Sequence, residues 1–243
     1  MKKEQFGKVS KSYASLAKID PSKQYVQYPS ALKLLGNIKG KNVLDIGCGD
    51  GHSSRAIASK GANVVGYDIA KEQIKIAESI EKHNSLGITY FNLDQYNFKS
   101  SINFDKACAI LVLPYSSNKR DLLYFFKSAY SNTSDNGEFI AIIFNPLYKR
   151  YDVLAYNRIF RKLLDNKIKI EFYNSEDKFL FSAEASDFSK TNYEEAAKKA
   201  GFKKFTWKKL KVSKKGISAL GERFWKNYEN DCPYIGLIAS KKA

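Results

Sequence analysis

The residues with the clearest chemistry are Gly47, Gly49 and Gly51, glycines at alternate positions that follow the apolar run 42–46 and lead into a helix-like stretch beginning near His52. Backbone without a Cβ lets a ligand approach closely there. A dinucleotide fingerprint would require G-x-G-x-x-G, whereas position 52 is His and Asp45 stands ahead of the glycines, so phosphate is a poor ligand for this loop. A carboxylate beside glycine-rich backbone suits a ligand that carries a cationic amine next to its own carboxylate, as an amino acid does. Asp68 closes the next apolar run, 21 residues beyond Gly47, where an acidic side chain accepts hydrogen bonds from both ribose hydroxyls. Ribose plus amino acid describes S-adenosylmethionine.

Such a loop needs a sheet to hold it. Runs 42–46, 62–67, 88–92, 107–112 and 139–144 are short, β-rich and apolar at consecutive positions, as parallel strands covered on both faces should be. Between them 52–60, 70–84 and 118–131 read as helices. This repeated βα winding predicts an α/β fold, a doubly wound, Rossmann-like, mostly parallel sheet of seven strands. After residue 145 the rhythm changes: 150–165 reads as a helix, 167–182 as a β-hairpin and 191–200 as a helix opened by a Thr191/Glu194 capping box and stopped by Gly201. Runs 205–207 and 233–238 complete the strand set. Segments 146–189 and 213–232 are therefore expected as insertions that wall the acceptor side of a single domain spanning 1–243.

The chain resembles the class I S-adenosylmethionine-dependent methyltransferases through VLDIGCGDG at 43–51, VVGYD at 64–68 and Asn92-Leu-Asp94, in that order. The resemblance covers residues 25–145 well and the rest loosely. It implies S-adenosylmethionine as cofactor and S-adenosylhomocysteine as product. By motif position Asp45, Gly47, Gly49 and Gly51 hold the methionine moiety, Asp68 the ribose, and Asp94 with Leu93 the adenine edge; Cys48, Ile69 and Leu111 are further expected contacts. Residues 1–30 resemble the family's leading helices, which fold over the cofactor, and Tyr13 is the expected cover. The tail, with Ala200-Gly-Phe202, Trp207, 221–225 and 233–236, is similar to a small-molecule subgroup that includes the toxoflavin-biosynthesis N-methyltransferase.

The acceptor is less legible. Base-amino methyltransferases carry Asn/Asp-Pro-Pro-Tyr/Phe after the fourth strand; here that slot reads Leu111-Val-Leu-Pro-Tyr115, and Asn145-Pro-Leu-Tyr148 comes one strand too late. Methyl transfer from a sulfonium demands in-line alignment and exclusion of water more than acid/base machinery. His52, at a helix start, fits a cap or cofactor contact better than a general base, and no other base stands out. The expectation is transfer to a small molecule at a ring nitrogen or acidic heteroatom. Tyr115, Asn145 and Trp225 are the expected positioning residues, with Tyr28, Phe144 and Tyr228 beside them at the acceptor.

Composition bounds the partners. Net charge is +16, but residues 1–41 hold nine basic and two acidic side chains and residues 201–243 eleven and three, so the charge sits at the ends. Only six of 41 basic residues are Arg, the side chain that reads bases and phosphates bidentately, so nucleic acid is possible but not favoured. Three cysteines without C-x-x-C spacing and two histidines argue for a reducing cytoplasm and against a metal site. No apolar run approaches the roughly 20 residues of a membrane helix, and the start has no secretory h-region. Two other readings stay open: an RNA or protein methyltransferase, and a cofactor-binding regulator without chemistry.

Overall fold

A computed structural model describes residues 20–174 and 176–242; Tyr13 lies outside them. After a π-helical turn, Lys23–Gln27, helix α1 runs over Tyr28–Leu35. Strands β1 (Asn42–Ile46), β2 (Asn63–Asp68), β3 (Thr89–Asn92), β4 (Phe104–Ile110) and β5 (Thr133–Phe144) alternate with helices α2 (His52–Ala58), α3 (Lys71–His83) and α4 (Lys119–Asn132). Strands β6 (Arg158–Leu163), β7 (Lys167–Tyr173) and β8 (Phe179–Ser186) follow. The chain then forms α5 (Lys190–Ala200), β9 (Lys204–Lys209), α6 (Lys214–Trp225) and β10 (Tyr234–Ser240).

The main sheet has seven strands in the order β3-β2-β1-β4-β5-β10-β9, with β3 and β9 as its margins. All neighbours pair in parallel except β10, which is antiparallel to both β5 and β9. The order reverses at β1/β4, and a doubly wound sheet opens a crevice at the carboxyl ends of its strands at that point. Strand β1 is buried from Val43 to Ile46 because both faces are covered. One face carries Leu44, Ile46, Phe104, Phe126, Phe139 and Phe202; the other carries Leu35, Val43, Ile57, Ile74 and Ala77. Helix α4 begins where the Asn118 side chain accepts from the Asp121 amide, and turns Leu122, Phe125, Phe126 and Ala129 inward at helical spacing.

Two expectations are corrected. Segment 150–165 is not a helix: 158–163 is strand β6, which pairs antiparallel with β7, as β7 does with β8, making a separate three-stranded sheet. Its inward positions are Arg158 and Phe160, and an arginine on the buried face hid the period of two. The capping box of α5 lies two residues earlier, between Ser189 and Asn192, although Gly201 (φ +115°) ends the helix as expected. The small sheet presses Phe160, Ile168, Ile170 and Phe181 into a cluster with Tyr115, Phe144, Trp225 and Tyr228, over the end of the main sheet where the glycine loop lies.

Candidate cofactor and acceptor site

The glycine loop is folded by contacts that exclude side chains at two of its three glycines. Gly47 and Cys48 donate their amides to the Tyr67 carbonyl at 2.8 and 3.0 Å, which ties the loop to β2. Gly47 has φ +67°, and a Cβ there would meet Val112 Cγ2 at 2.4 Å. Gly51 (φ +84°) opens α2, and its Cβ would meet Tyr90 Oη at 2.5 Å. Gly49 differs: at φ +55° a Cβ there would meet Gln73 Oε1 at 3.8 Å, an ordinary contact, so no close neighbour crowds it. Beneath the loop Asp45, 1% exposed, accepts from Ser53 Oγ and Ser54 Oγ, both at 2.6 Å, and from the Cys108 thiol at 3.5 Å. Burial pushes the Asp45 carboxyl up; the three side-chain donors pull it back only in part.

Beside the loop, Asp68 at the end of β2 accepts the Gly49 amide (3.0 Å) on one oxygen and the Ala70 amide (2.8 Å) on the other. Burial pushes its carboxyl up to about 6 despite those two amides. Asp50 lies lower than an ordinary carboxylate: burial raises it, but His52, whose Nδ1 is 3.0 Å away, and Lys23 more than offset that. Burial also pushes the thiols of Cys48 and Cys108 well up, so neither is a ready nucleophile.

Cys48, Asp50 and Asp68 line one cleft. Gly47 to Asp50 and Ser53 form one wall, Asp68 to Ala70 with Gln73 a second, and Ile110 to Val112 with Tyr115 a third. Lys23, Gln27 and Tyr28 form a roof. Leu111 holds φ +56°, a left-handed backbone that costs a non-glycine residue roughly 1–2 kcal/mol. That strain falls just past the end of β4, at a residue that lines the cleft, and its amide is kept paired to the Ile142 carbonyl at 2.8 Å.

Of the residues expected from sequence, Gly47, Cys48, Gly49, Asp68, Ile69, Leu111, Tyr28 and Tyr115 meet in this cleft. Asp45 and Gly51 support it without lining it. Leu93 and Asp94 stand off: Leu93 is 37% exposed, and Asp94 Oδ1 accepts from the amides of Tyr96 and Asn97. Phe144 and Asn145 line a smaller adjoining slot with Tyr148, Phe160 and Tyr193, and Phe144 meets Tyr115 edge-on at 6.0 Å. Asn145 is engaged structurally, donating to the Cys232 carbonyl and accepting from the Leu147 amide. Trp225 and Tyr228 line neither space. Trp225 Nε1 donates to the Gly216 carbonyl at 2.9 Å within the second insertion and its ring meets Tyr25 edge-on at 6.4 Å, while Tyr228 Oη lies 3.0 Å from Ser22 Oγ, so both rings fasten the second insertion to the N-terminal turn. Sequence reasoning missed Lys23, Gln27, Asp50, Ser53 and Gln73; the spacing of Lys23, Gln27 and Tyr28 along one helical face was the signal available.

Residues 37–201 match the model of a family described as the methyltransferase domain, and the chain belongs to that family. It is an S-adenosylmethionine-dependent methyltransferase. It is 25% identical over 205 residues to a ubiquinone biosynthesis O-methyltransferase of Haemophilus ducreyi, covering 83% of this chain and 80% of that protein. To the protein of that name from Pelagibacter ubique it is 34% identical over 122 residues, about half of each chain. Among solved structures, an S-adenosylmethionine-dependent methyltransferase from Clostridium acetobutylicum superposes with a TM-score of 0.70 at 16% identity, covering 95% of this chain and 98% of that one.

The cleft fits the cofactor on its own geometry. Gly49 lines the cleft with bare backbone that no neighbour crowds, and Asp68 lines the same cleft.

Proposed function

We propose that the chain methylates a small planar molecule at an acidic heteroatom or ring nitrogen, with the acceptor held between Tyr28 and Tyr115 at the apolar end of the cleft. The observation that carries this reading is the placement of those two rings in one cleft with the glycine loop and with Leu111 and Val112. Aromatic walls favour a flat acceptor by stacking and edge contacts, and they exclude water from the line of transfer. A phenolic oxygen agrees with the O-methyltransferase names of the relatives.

In this reading Asp68 accepts from the ribose hydroxyls, Gly49 offers close backbone approach, and Leu111 with Val112 packs beside the reacting centre. S-adenosylmethionine supplies a methyl group on a positively charged sulfur, which needs only an aligned lone pair. Asn145, Trp225 and Tyr228 act at a distance, by holding the two insertions in place.

The test is methyl transfer from radiolabelled S-adenosylmethionine to separate panels of phenols, azaheterocycles, total RNA and histone-type basic protein. Label on a phenol or azaheterocycle, reduced at least tenfold in Tyr115→Ala, supports the proposal. Label on RNA or protein alone, or on nothing while the cofactor binds, refutes it.

A further inference from the structure

The slot beyond Tyr115 has a charge pattern that methyl transfer in the main cleft does not use. Six aromatic side chains, Phe144, Tyr148, Tyr151, Phe160, Phe188 and Tyr193, line it where the small sheet meets the end of β5, and Asp187, just past β8, is the charged residue in the lining. The rings brace one another: Tyr148 meets Tyr151 at 5.7 Å and Phe160 at 5.3 Å, and Phe188 meets Tyr193 at 5.8 Å. Burial pushes the Tyr151 hydroxyl up to about 12 and the Tyr193 hydroxyl well up, and in both the Asp187 carboxylate is the next cause. Both phenols therefore stay neutral, within the field of that carboxylate.

Aromatic faces and a carboxylate around one space attract a cation, since each ring presents negative charge on its face and the carboxylate adds a full one. The chain itself shows the preference. Lys162, on β6, sets its ammonium 4.9 Å from the centre of the Tyr151 ring and 3.6 Å from Asp187 Oδ2. Its side chain is 61% exposed and does not line the slot, so it reaches the two lining residues from the solvent side. An exposed pair of this kind holds its cation weakly, and an ammonium entering the slot displaces it.

We infer that the slot is a subsite for a protonated or quaternary ammonium group, held on the Tyr151 ring and against Asp187, with Lys162 as the chain's own competitor for the same two residues. The inference rests on reading the cleft as the acceptor site and deepens it. Phe144 of the slot meets Tyr115 of the cleft edge-on at 6.0 Å, and Ser186 of the slot donates to the Ser116 carbonyl at 2.7 Å, so the two spaces lie against each other. A flat acceptor on Tyr115 that carries a short alkylammonium arm spans both. The arm selects the acceptor and takes no part in the transfer.

The experiment compares choline with 3,3-dimethylbutan-1-ol, its uncharged carbon isostere, by ligand-observed NMR titration of the protein saturated with S-adenosylhomocysteine, at fixed ionic strength. Wild type should bind choline at least about fivefold more tightly than the alcohol. Asp187→Asn should lose most of that preference. Tyr151→Leu should weaken choline at least about threefold, whereas Tyr151→Phe, which keeps the ring, should not. Lys162→Met should bind choline about two- to fivefold more tightly, a gain that a poorly folded variant cannot produce, and Lys162→Arg should stay near wild type. Equal affinity for choline and the alcohol in wild type, or no gain in Lys162→Met, overturns the inference. Choline preference with no methyl label on any phenol or azaheterocycle keeps the subsite and removes the acceptor reading; label on those compounds without choline preference does the reverse.

Discussion

Replacing Arg158 by Met should be among the most damaging changes in this chain that touch no cleft-lining residue. Arg158 Nη2 donates to Asp20 Oδ2 in a pair whose side chains are 2% and 1% exposed. The guanidinium carbon also lies 5.5 Å from the Phe172 ring centre and 5.6 Å from that of Tyr234. Arg158→Met fills much of the same volume but leaves the Asp20 carboxylate buried without its cation. Breaking one side of such a pair costs about 3–5 kcal/mol, far more than the pair's net worth. For a domain of this size each kcal/mol moves the melting temperature by about 2–4 °C, so a fall of roughly 6–20 °C is expected. Urea unfolding gives the free energy, with an unchanged m-value as the check that the transition stays two-state. Asp20→Asn added to Arg158→Met removes the stranded charge while keeping an oxygen to accept the Ser22 amide, 2.9 Å from Oδ1 in wild type. The double variant should recover about 2 kcal/mol or more. A loss under about 1 kcal/mol in the single variant, or no recovery in the double, would refute the account of a desolvated, mutually dependent pair.

Asp68, raised to about 6 by burial, must be a carboxylate to accept ribose hydroxyls, so cofactor affinity should be flat above pH 7 and fall about tenfold per unit below pH 6. Calorimetry across pH 5–8 reads this, and an Asp68→Asn profile should lose the step. The same raised value means that the Asp68 contribution to apo stability is present below its unfolded value of 3.8 and is lost as pH rises through about 6. Gly47→Ala places a Cβ 2.4 Å from Val112 Cγ2 at a positive φ, so the loop must shift; cofactor affinity should drop at least tenfold, and stability by about 1–3 kcal/mol. Glu81 Oε1 accepts the amides of Leu86, Gly87 and Ile88 after α3, so Glu81→Ala should cost about 1–3 kcal/mol in urea unfolding while leaving affinity for S-adenosylhomocysteine unchanged.

Legibility in the sequence followed the kind of physics involved. Strand runs such as 42–46 and 139–144 are apolar at consecutive positions because both sheet faces are covered, and that pattern survives without tertiary knowledge. The loop was readable because Gly47 and Gly51 answer local steric demands, and Asp68 because it ends a strand beside that loop. Long-range partners erased the signal elsewhere. Arg158 sits on a buried strand face only because Asp20, 138 residues away in sequence, meets it, so its periodicity read as polar and the segment as a helix. Lys23 and Gln27 share a helical face with Tyr28, but nothing local says that a π-helical turn folds that face over a cleft. Trp225 and Tyr228 were singled out as aromatic and placed at the acceptor, whereas their partners, Gly216 and Ser22, make them fasteners.

The margin formed by β9 gives part of the positive charge a plain physical role. Lys204, Lys208 and Lys209 are exposed on that strand, with exposed Lys203 just before it. Only one side of β9 is paired, so its outer backbone groups could template a strand from another molecule. A second chain adding there would set lysines of both copies against each other at the spacing of paired strands, a like-charge contact that disfavours pairing. The lysines along β9 thus set a physical obstacle to edge-to-edge pairing of two copies of the strand.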